Sequence, residues 1–405
     1  MSRADCNQTI YRLVPFMLFA VWALAGCKLV ETVHPSDGEQ ATKASDNERL
    51  WYRYPGQEWN SQALHLGNGY FGASFFGGVK QEKFTLGEKT FWTGGPGDST
   101  NNTYGVNPGG KEHVQEIRRL IVEGKTAEAD GLAWKCLLGD YSRFGAFSTV
   151  GNLYLNFEGH DGEVADYRRE LDLHHAIGSV AYEVNGVRYR REYFCSYPAR
   201  ALIIRLTCDK PGALSLEVGI DLAHKKRQPA IKISPEQGIW EASGNIDDNN
   251  RPYRAIIKVL PERGALAGRG DVLVVKGADA VTVIYTVATD YRLQPPDYRG
   301  ADPRAITAKA LEHLAGRNFQ AIREEHIRDY QRLYLRTQFR LDGVPEREAL
   351  PTNERWRRYV ARDYADLGLK ELAFNLGKYL LISASRPGSL PAGIQGPWSC
   401  HYSAP

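Results

Sequence analysis

Metal-holding and cross-linking residues are scarce in this sequence. There are six cysteines in 405 residues, and neither a CxxC nor an HExxH pair occurs, so no metal set is written into the chain and no cofactor is implied. The adjacent His174-His175 invites a catalytic reading because histidine titrates near neutral pH. No spaced Ser, Cys or carboxylate motif surrounds the pair, which therefore reads as a turn or strand end. An excess of charge is also missing. Lys and Arg number 51 against 48 Asp and Glu, and a net +3 over this length argues against a nucleic-acid or membrane-surface partner. The basic run His224-Lys225-Lys226-Arg227 accordingly reads as a solvated loop.

One apolar run stands out, Leu13 to Ala25, preceded by Arg3 and Arg12. It is too short to span a bilayer comfortably and has the length of a signal-peptide core. It closes on Leu24-Ala25-Gly26-Cys27, which resembles a bacterial lipobox, so residues 1–27 read as a lipoprotein signal peptide with Cys27 as the lipidation site. Each buried methylene of such an anchor contributes about 0.8 kcal/mol, and several chains on one residue hold a protein to a membrane. The expected location is the bacterial cell envelope, exported and lipid-anchored. Residues 28–46, polar with Pro35, Ser36 and Gly38, read as a tether. Cys6 leaves with the signal; Cys136, Cys195, Cys208 and Cys400 remain, and their pairing is not readable. Cys195 and Cys208 lie in strand-like runs and are expected to be buried.

What the sequence does have is 40 glycines and 11% aromatic residues, a balance that favours a β-rich, carbohydrate-facing protein. Both concentrate between Glu58 and Gly95, where short extended segments are expected to turn sharply and display rings. Gly67, Gly69 and Gly72 spell GxGxxG, but Ala73 to Gly78 is too glycine-rich and aromatic for the helix a dinucleotide site requires. Taken singly, these glycines are bulges and turns. The residues from Lys111 to Gly139 read as two helices broken at Gly124, covering one edge of a sandwich, with Trp134 in the core at helical spacing from Leu137 and Leu138. Strand patterns follow at Leu153–Phe157, Ala201–Leu206, Leu214–Ile220, Tyr253–Leu260, Val272–Val275 and Val281–Ala288. Val180–Val184 and Val187–Phe194, joined by Asn185-Gly186, form the strongest hairpin signal, with Arg188, Arg190 and Glu192 on a solvated face. These strands predict a large antiparallel sandwich. Beyond Asp290, Ala305–Ala315, Ala321–Tyr334 and Asp363–Ser383 carry helical periodicity, with a brief return to strand at Leu335–Leu341.

Several blocks carry a family resemblance. Asn68-Gly69, the run Phe75 to Val79, and Leu86, Glu88, Thr90 and Trp92 resemble the amino-terminal signature of glycoside hydrolase family 95, the inverting α-L-fucosidases; the family usually has Asn where this chain has Gly87. Arg143-Phe144-Gly145 through Gly151-Asn152-Leu153-Tyr154 is similar to its aromatic and glycine segment. Leu350 to Arg355, Gly377 to Ser383, Ser385-Arg386-Pro387-Gly388 and Gln395-Gly396-Pro397-Trp398 resemble the family in order and spacing. The resemblance implies a mainly β plus α fold: a β-sandwich (supersandwich) over 47–300, a helical linker over 301–345, and the first helices of an (α/α)6 barrel over 346–405. It also implies a fucosylated oligosaccharide or polysaccharide as partner. The family's catalytic asparagines, general acid and aspartate follow the Gln-Gly-x-Trp segment, and the resemblance places them beyond Pro405. The chain therefore reads as an amino-terminal fragment that is itself inactive, and no catalytic residue is assigned.

Inverting hydrolysis needs an acid and a base about 6.5–9.5 Å apart. The candidates for sugar contact are Trp59, Asn60, Glu88, Trp92 and Trp398, since aromatic faces stack on sugar C–H surfaces and polar groups fix hydroxyls. Glu88 leads, because a carboxylate among Leu86, Phe91 and Trp92 is expected to be partly buried and to need a partner. Two other readings stay open: a non-catalytic glycan-binding surface lipoprotein, and an α-L-galactosidase, whose sugar differs from L-fucose by one hydroxyl.

Overall fold

The computed structural model describes residues 46–94, 107, 109–139, 145–247, 249–362 and 364–403. The signal segment with Cys27, the tether up to residue 45, Arg143-Phe144, and Pro405, past which the catalytic positions are expected, lie outside the described residues.

Among the described residues the strands, in chain order, are β1 (Arg49–Tyr52), β2 (Leu64–Gly67), β3 (Phe71–Phe75), β4 (Gln81–Trp92), β5 (Phe147–Phe157), β6 (Val164–Asp172), β7 (Ile177–Val184), β8 (Val187–Ser196), β9 (Ala201–Cys208), β10 (Leu214–Leu222), β11 (Ala230–Ser234), β12 (Ile239–Asn245), β13 (Pro252–Glu262), β14 (Ala265–Arg269), β15 (Val272–Ala278) and β16 (Ala280–Thr289). They form a nine-stranded sheet, ordered β1-β6-β7-β8-β9-β16-β13-β12-β11, and a seven-stranded sheet, ordered β14-β15-β10-β5-β4-β3-β2. Every pairing is antiparallel. The predicted sandwich is thus the observed one. Between the sheets lies a core that includes Phe75, Phe84, Leu153, Leu155, Tyr193, Leu202, Trp240, Ile257 and Tyr285, each nearly inaccessible. Burying a large apolar side chain of this kind contributes about 1.5–3 kcal/mol, so the sandwich is stabilised chiefly from its middle.

The β7–β8 hairpin follows from its turn. Asn185 and Gly186 sit at φ 53° and 69°, the double left-handed geometry of a type I′ turn, and Val184 pairs Val187 across it. The rings of Phe71, Phe75, Phe84 and Phe91 are buried rather than displayed, because β3 and β4 lie inside the seven-stranded sheet and point these side chains at the other sheet. Cys195 is buried as expected, whereas Cys208 is only partly so.

The α-helices are α1 (Trp59–Gln62), α2 (Val114–Val122), α3 (Thr126–Cys136), α4 (Pro303–Leu314), α5 (Phe319–Tyr334), α6 (Pro345–Glu348), α7 (Thr352–Val360) and α8 (Leu367–Ala384), and short 3-10 turns lie at Asp46–Glu48, Gly110–His113 and Pro235–Gln237. Capping fixes three of their starts: Asp302 accepts from Arg304 N, Asn318 from Ala321 N and Asp366 from Leu369 N. α4 and α5 cover the outer face of the nine-stranded sheet, where Leu314, Ile322 and Ile327 meet Phe194, Ile203 and Ile284. This cover explains why β16 is buried along its whole length. It also corrects the reading of Glu192 as solvated, since Arg323 of α5 donates to it at 2.6 Å and leaves it buried. Arg191 turns inward beside Glu82, 3.7 Å away.

Three other expectations change. α2 and α3 meet each other around Ile117, Leu120 and Ala129 in a small core of their own, so they do not cover the sandwich edge, and Trp134 is 72% exposed. Residues 335–341 are not a strand, because Glu371 of α8 takes up Leu341 N and Arg340 in place of a neighbouring strand. His224 is buried, although the lysines and arginine after it are exposed as expected. His174-His175 does form a turn, between β6 and β7.

Candidate functional site

The site region lies where the β2–β3–β4 end of the sandwich meets the segment after α8. Gly67 pairs Gly72 and Gly72 pairs Gly87, so three glycines from three adjacent strands lie side by side. The segment around Trp398 packs on this row. A Cβ on Gly72 would stand 2.5 Å from Trp398 Cδ1, and one on Gly87 would stand 2.2 Å from the Pro397 carbonyl oxygen. Read singly these glycines are turns; read across the sheet they are a smooth bed for the Gln395–Trp398 motif.

Trp59 and Trp398 come together on this outer face. His65 lies between them, with ring centroids 5.4 Å from each. Trp398 Nε1 donates to Leu66 O at 2.7 Å and Trp59 Nε1 to Ser74 Oγ at 3.1 Å, while His65 Nδ1 lies 2.9 Å from the same hydroxyl. Burial pushes the His65 imidazole down to about 4, so it is neutral at physiological pH. Both indole N–H groups are therefore engaged within the protein. Asn60, on α1, is exposed. Trp92, at the end of β4, is 44% exposed, with Nε1 donating to Lys89 O at 3.0 Å.

Glu88 lies on the opposite face from Gly87, as strand alternation requires, and so points between the sheets. It is buried, as expected, and its partner is local: Oε2 accepts from the backbone N of Thr90 at 2.8 Å and from the Thr90 hydroxyl, which also contacts Thr289. Desolvation raises the carboxyl from 4.5 to about 7, with the Thr90 bonds, Arg200 and Lys89 pulling the other way. Lys89 reaches the other way, donating to Ala384 O at 2.8 Å and to Leu390 O, and desolvation lowers its amine to about 8.

Sequence reasoning missed a clamp at the same place. Asn68 closes the β2–β3 turn, accepting from Tyr70 N and Phe71 N, both at 3.0 Å, and donating to Ser196 O at 3.1 Å. Tyr70 stacks on Tyr197 at 5.9 Å, and both hydroxyls donate to the Pro387 carbonyl, at 3.4 and 2.9 Å. Arg200 lies over Tyr70 at 3.7 Å and Arg386 over Tyr197 at 4.0 Å, with Arg386 ion-paired to Asp329 of α5 at 2.6 Å. Guanidinium, phenol, phenol and guanidinium thus alternate in one pile. The Asn68-Gly69 and Ser385-Arg386-Pro387 motifs were the sequence signals at this place.

One constellation imitates a hydrolytic triad. Ser148 Oγ lies 2.9 Å from His224 Nε2, and Asp247 Oδ2 lies 3.7 Å from Nδ1. His224 Nδ1, however, accepts from the backbone N of Asp247 at 3.2 Å, so the proton sits on Nε2 and is donated to Ser148, the reverse of what a general base needs. Ser148 is fully buried as well. Among the described residues, no three His, Cys, Asp or Glu side chains gather as a metal site.

A two-sheet antiparallel sandwich is thus bridged at its rim to a following helical segment. Residues 50–294 match the profile described as glycosyl hydrolase family 65, N-terminal domain, and residues 318–405 match the glycosyl hydrolase family 95 catalytic domain, a match that runs as far as Pro405. The chain belongs, over more than half its length, to the family described as glycosyl hydrolase family 65, N-terminal domain, and is followed by a stretch similar to the family 95 catalytic domain. It is 31% identical over 380 residues to Alpha-L-fucosidase 2 of Arabidopsis thaliana, a match covering 87% of this chain and 44% of that protein. It is 28% identical over 377 residues to Probable alpha-fucosidase A of Aspergillus niger, with 87% and 45% covered. The chain thus spans less than half the length of these curated relatives. Among solved structures, a putative kojibiose phosphorylase from human microbiome is similar at TM-score 0.43 and 10% identity, over 86% of this chain and 43% of that one.

Proposed function

We propose that this protein serves the inverting hydrolysis of α-L-fucosides, α-1,2-linked on plant or host glycans. The observation that carries the reading is the similarity to Alpha-L-fucosidase 2, which runs from the sandwich into the stretch that matches the family 95 catalytic domain. Inversion requires an acid and a base about 6.5–9.5 Å apart on either side of the sugar. No residue up to Pro405 is assigned either role, and the rim of the sandwich is read as the sugar-holding part. The proposal includes export and a lipid anchor on Cys27, supported by the Leu24-Ala25-Gly26-Cys27 sequence. A mass shift of the native protein that is lost in Cys27→Ser checks the anchor.

The test of activity is incubation of the native protein, isolated from its own source, with 2′-fucosyllactose, followed by proton NMR of the released sugar. The β-anomer of L-fucose is expected to appear first. Binding without release would favour the glycan-binding reading. Turnover of an α-L-galactoside with none of the fucoside would favour the α-L-galactosidase.

A further inference from the structure

We propose that the nine-stranded sheet carries, on its outer face, a binding site for one or two units of a neutral saccharide, in a cavity of about 360 Å³ bordered by β6, β7, β8 and β9. Strand register builds this space. Ala181 of β7 pairs Arg190 of β8, and Arg190 pairs Thr207 of β9, so a methyl group and a short side chain flank the arginine in one row across the sheet. All three point away from the core, because the alternate positions Tyr182, Tyr189 and Leu206 are buried between the sheets. α4 and α5 cover the sheet at Phe194, Ile203 and Ile284, and Arg188 and Arg190 beyond them are exposed. The rim is far off. Ser196, which takes the Asn68 hydrogen bond there, closes β8, so at about 3.4 Å per residue the two arginines stand roughly 20–27 Å along the strand from it. The volume lies at the low end of pockets that enclose small ligands, about 300–1,000 Å³.

The walls carry charges of both signs that are left open to a third party. Arg188 lies 3.7 Å from Glu183 and 3.7 Å from Asp209, and Arg190 lies 3.6 Å from Glu192, which Arg323 already holds at 2.6 Å. These separations exceed a hydrogen bond, and neither guanidinium donates one to any described residue. Asp166 enters from β6 through the irregularity between Ala165 and Arg168. Its backbone is left-handed there, at φ 50°, as at a bulge that re-aims a side chain, and its carboxylate has neither hydrogen bond nor ion pair among the described residues. Nor do these carboxylates gather as a metal site among the described residues. A guanidinium edge presents parallel donors matched to two neighbouring oxygens, and a carboxylate accepts from hydroxyls, so adjacent hydroxyls can be met from both walls. An anionic ligand would face Asp166, Glu183 and Asp209, and a cationic one would face Arg188 and Arg190, which leaves a neutral polyol. That this polyol is a saccharide rests on the function proposed above; the cavity and its charges do not.

The experiment is calorimetric titration of the full-length protein, and of three variants, with L-fucose, D-galactose, D-mannose, N-acetylneuraminic acid and D-glucosamine. Asp166→Gly removes the carboxylate and suits the left-handed backbone, Arg190→Met removes a guanidinium, and Ala181→Phe fills the floor with every charge in place. Millimolar binding of at least one neutral sugar is expected, weakened about tenfold or more in all three, with cooperative unfolding retained in the two variants at exposed positions. No binding of any neutral sugar, an affinity that none of the variants changes, or preference for the anionic or the cationic sugar would overturn the site. Neutral-sugar binding that the variants abolish, in a protein that releases no fucose from 2′-fucosyllactose, would keep the site and count against the fucoside reading. Fucose release together with sugar binding that no variant alters would do the opposite.

Discussion

Replacing Glu88 with Gln isolates the energetic consequence of burying this carboxyl. Its folded-state value is about 7 against 4.5 for the free group. The folded protein therefore holds a proton that the unfolded chain releases between these values, and the stabilisation, complete below pH 4.5, is lost as the pH rises through 7. At about 1.4 kcal/mol per pKa unit, the swing is about 3 kcal/mol. Gln has nearly the same shape, keeps an oxygen for Thr90 N and does not ionise. Urea unfolding of both proteins from pH 4 to pH 8 should show a difference that grows with pH, the variant becoming the more stable by about 3 kcal/mol at pH 8. Subtracting one curve from the other cancels the remaining titrating groups. A difference that stays constant over this range would refute the account of Glu88 as a desolvated carboxyl.

The bed of glycines makes a second prediction. Gly87→Ala sets a Cβ against the Pro397 carbonyl, a backbone atom with little room to yield, and should destabilise by about 1–3 kcal/mol in thermal or urea unfolding. Arg355 is buried and bonded through Nε and Nη2 to both oxygens of Asp366, at 2.9 and 2.8 Å. Arg355→Met should cost about 3–5 kcal/mol, and adding Asp366→Leu should recover part of that in a double-mutant cycle. His326 is buried with Nε2 donating to His175 O and Ala176 O, both at 3.1 Å, and desolvation lowers it from 6.5 to about 4. Its contribution is present above pH 6.5 and is lost as the pH falls through 4, so His326→Gln should flatten the acid limb of the stability profile.

The parts of the fold legible in sequence were those where local chemistry and burial agree. The β7–β8 hairpin was readable because an Asn-Gly turn joins two alternating runs. β6 was not, because its alternation is broken by an irregularity between Ala165 and Arg168, with Asp166 at φ 50°, and because its buried position Arg169 is a charge. Nη1 of that arginine donates to the carbonyls of Gln62 and Phe76, partners no local window contains, while its buried Nε and Nη2 find no hydrogen-bond partner among the described residues. Trp134 misled for the converse reason: helical spacing shows that residues share a face, not that anything covers it. At the site, Glu88 was legible because the apolar residues Leu86, Phe91 and Trp92 stand within four positions of it. Arg200 was not, since a single arginine in a turn acquires meaning only from Tyr70, which stands over a hundred positions away in the chain.

The ties between the two ends of the described chain also govern how the protein can be made. Asn47 bonds Glu348 across 301 positions, Asn375 bonds the Asn47 carbonyl across 328, and the Trp398 indole reaches Leu66 across 332. At a synthesis rate of about 5–20 residues per second, β2 emerges roughly 17–66 s before the segment that covers its outer face exists. For that interval an edge strand with Leu64 and Leu66 stands open to pairing with other chains. The closing segment thus sets the latest time at which the first strands can be sealed, and the yield of folded protein should depend on how the nascent chain is sheltered until then.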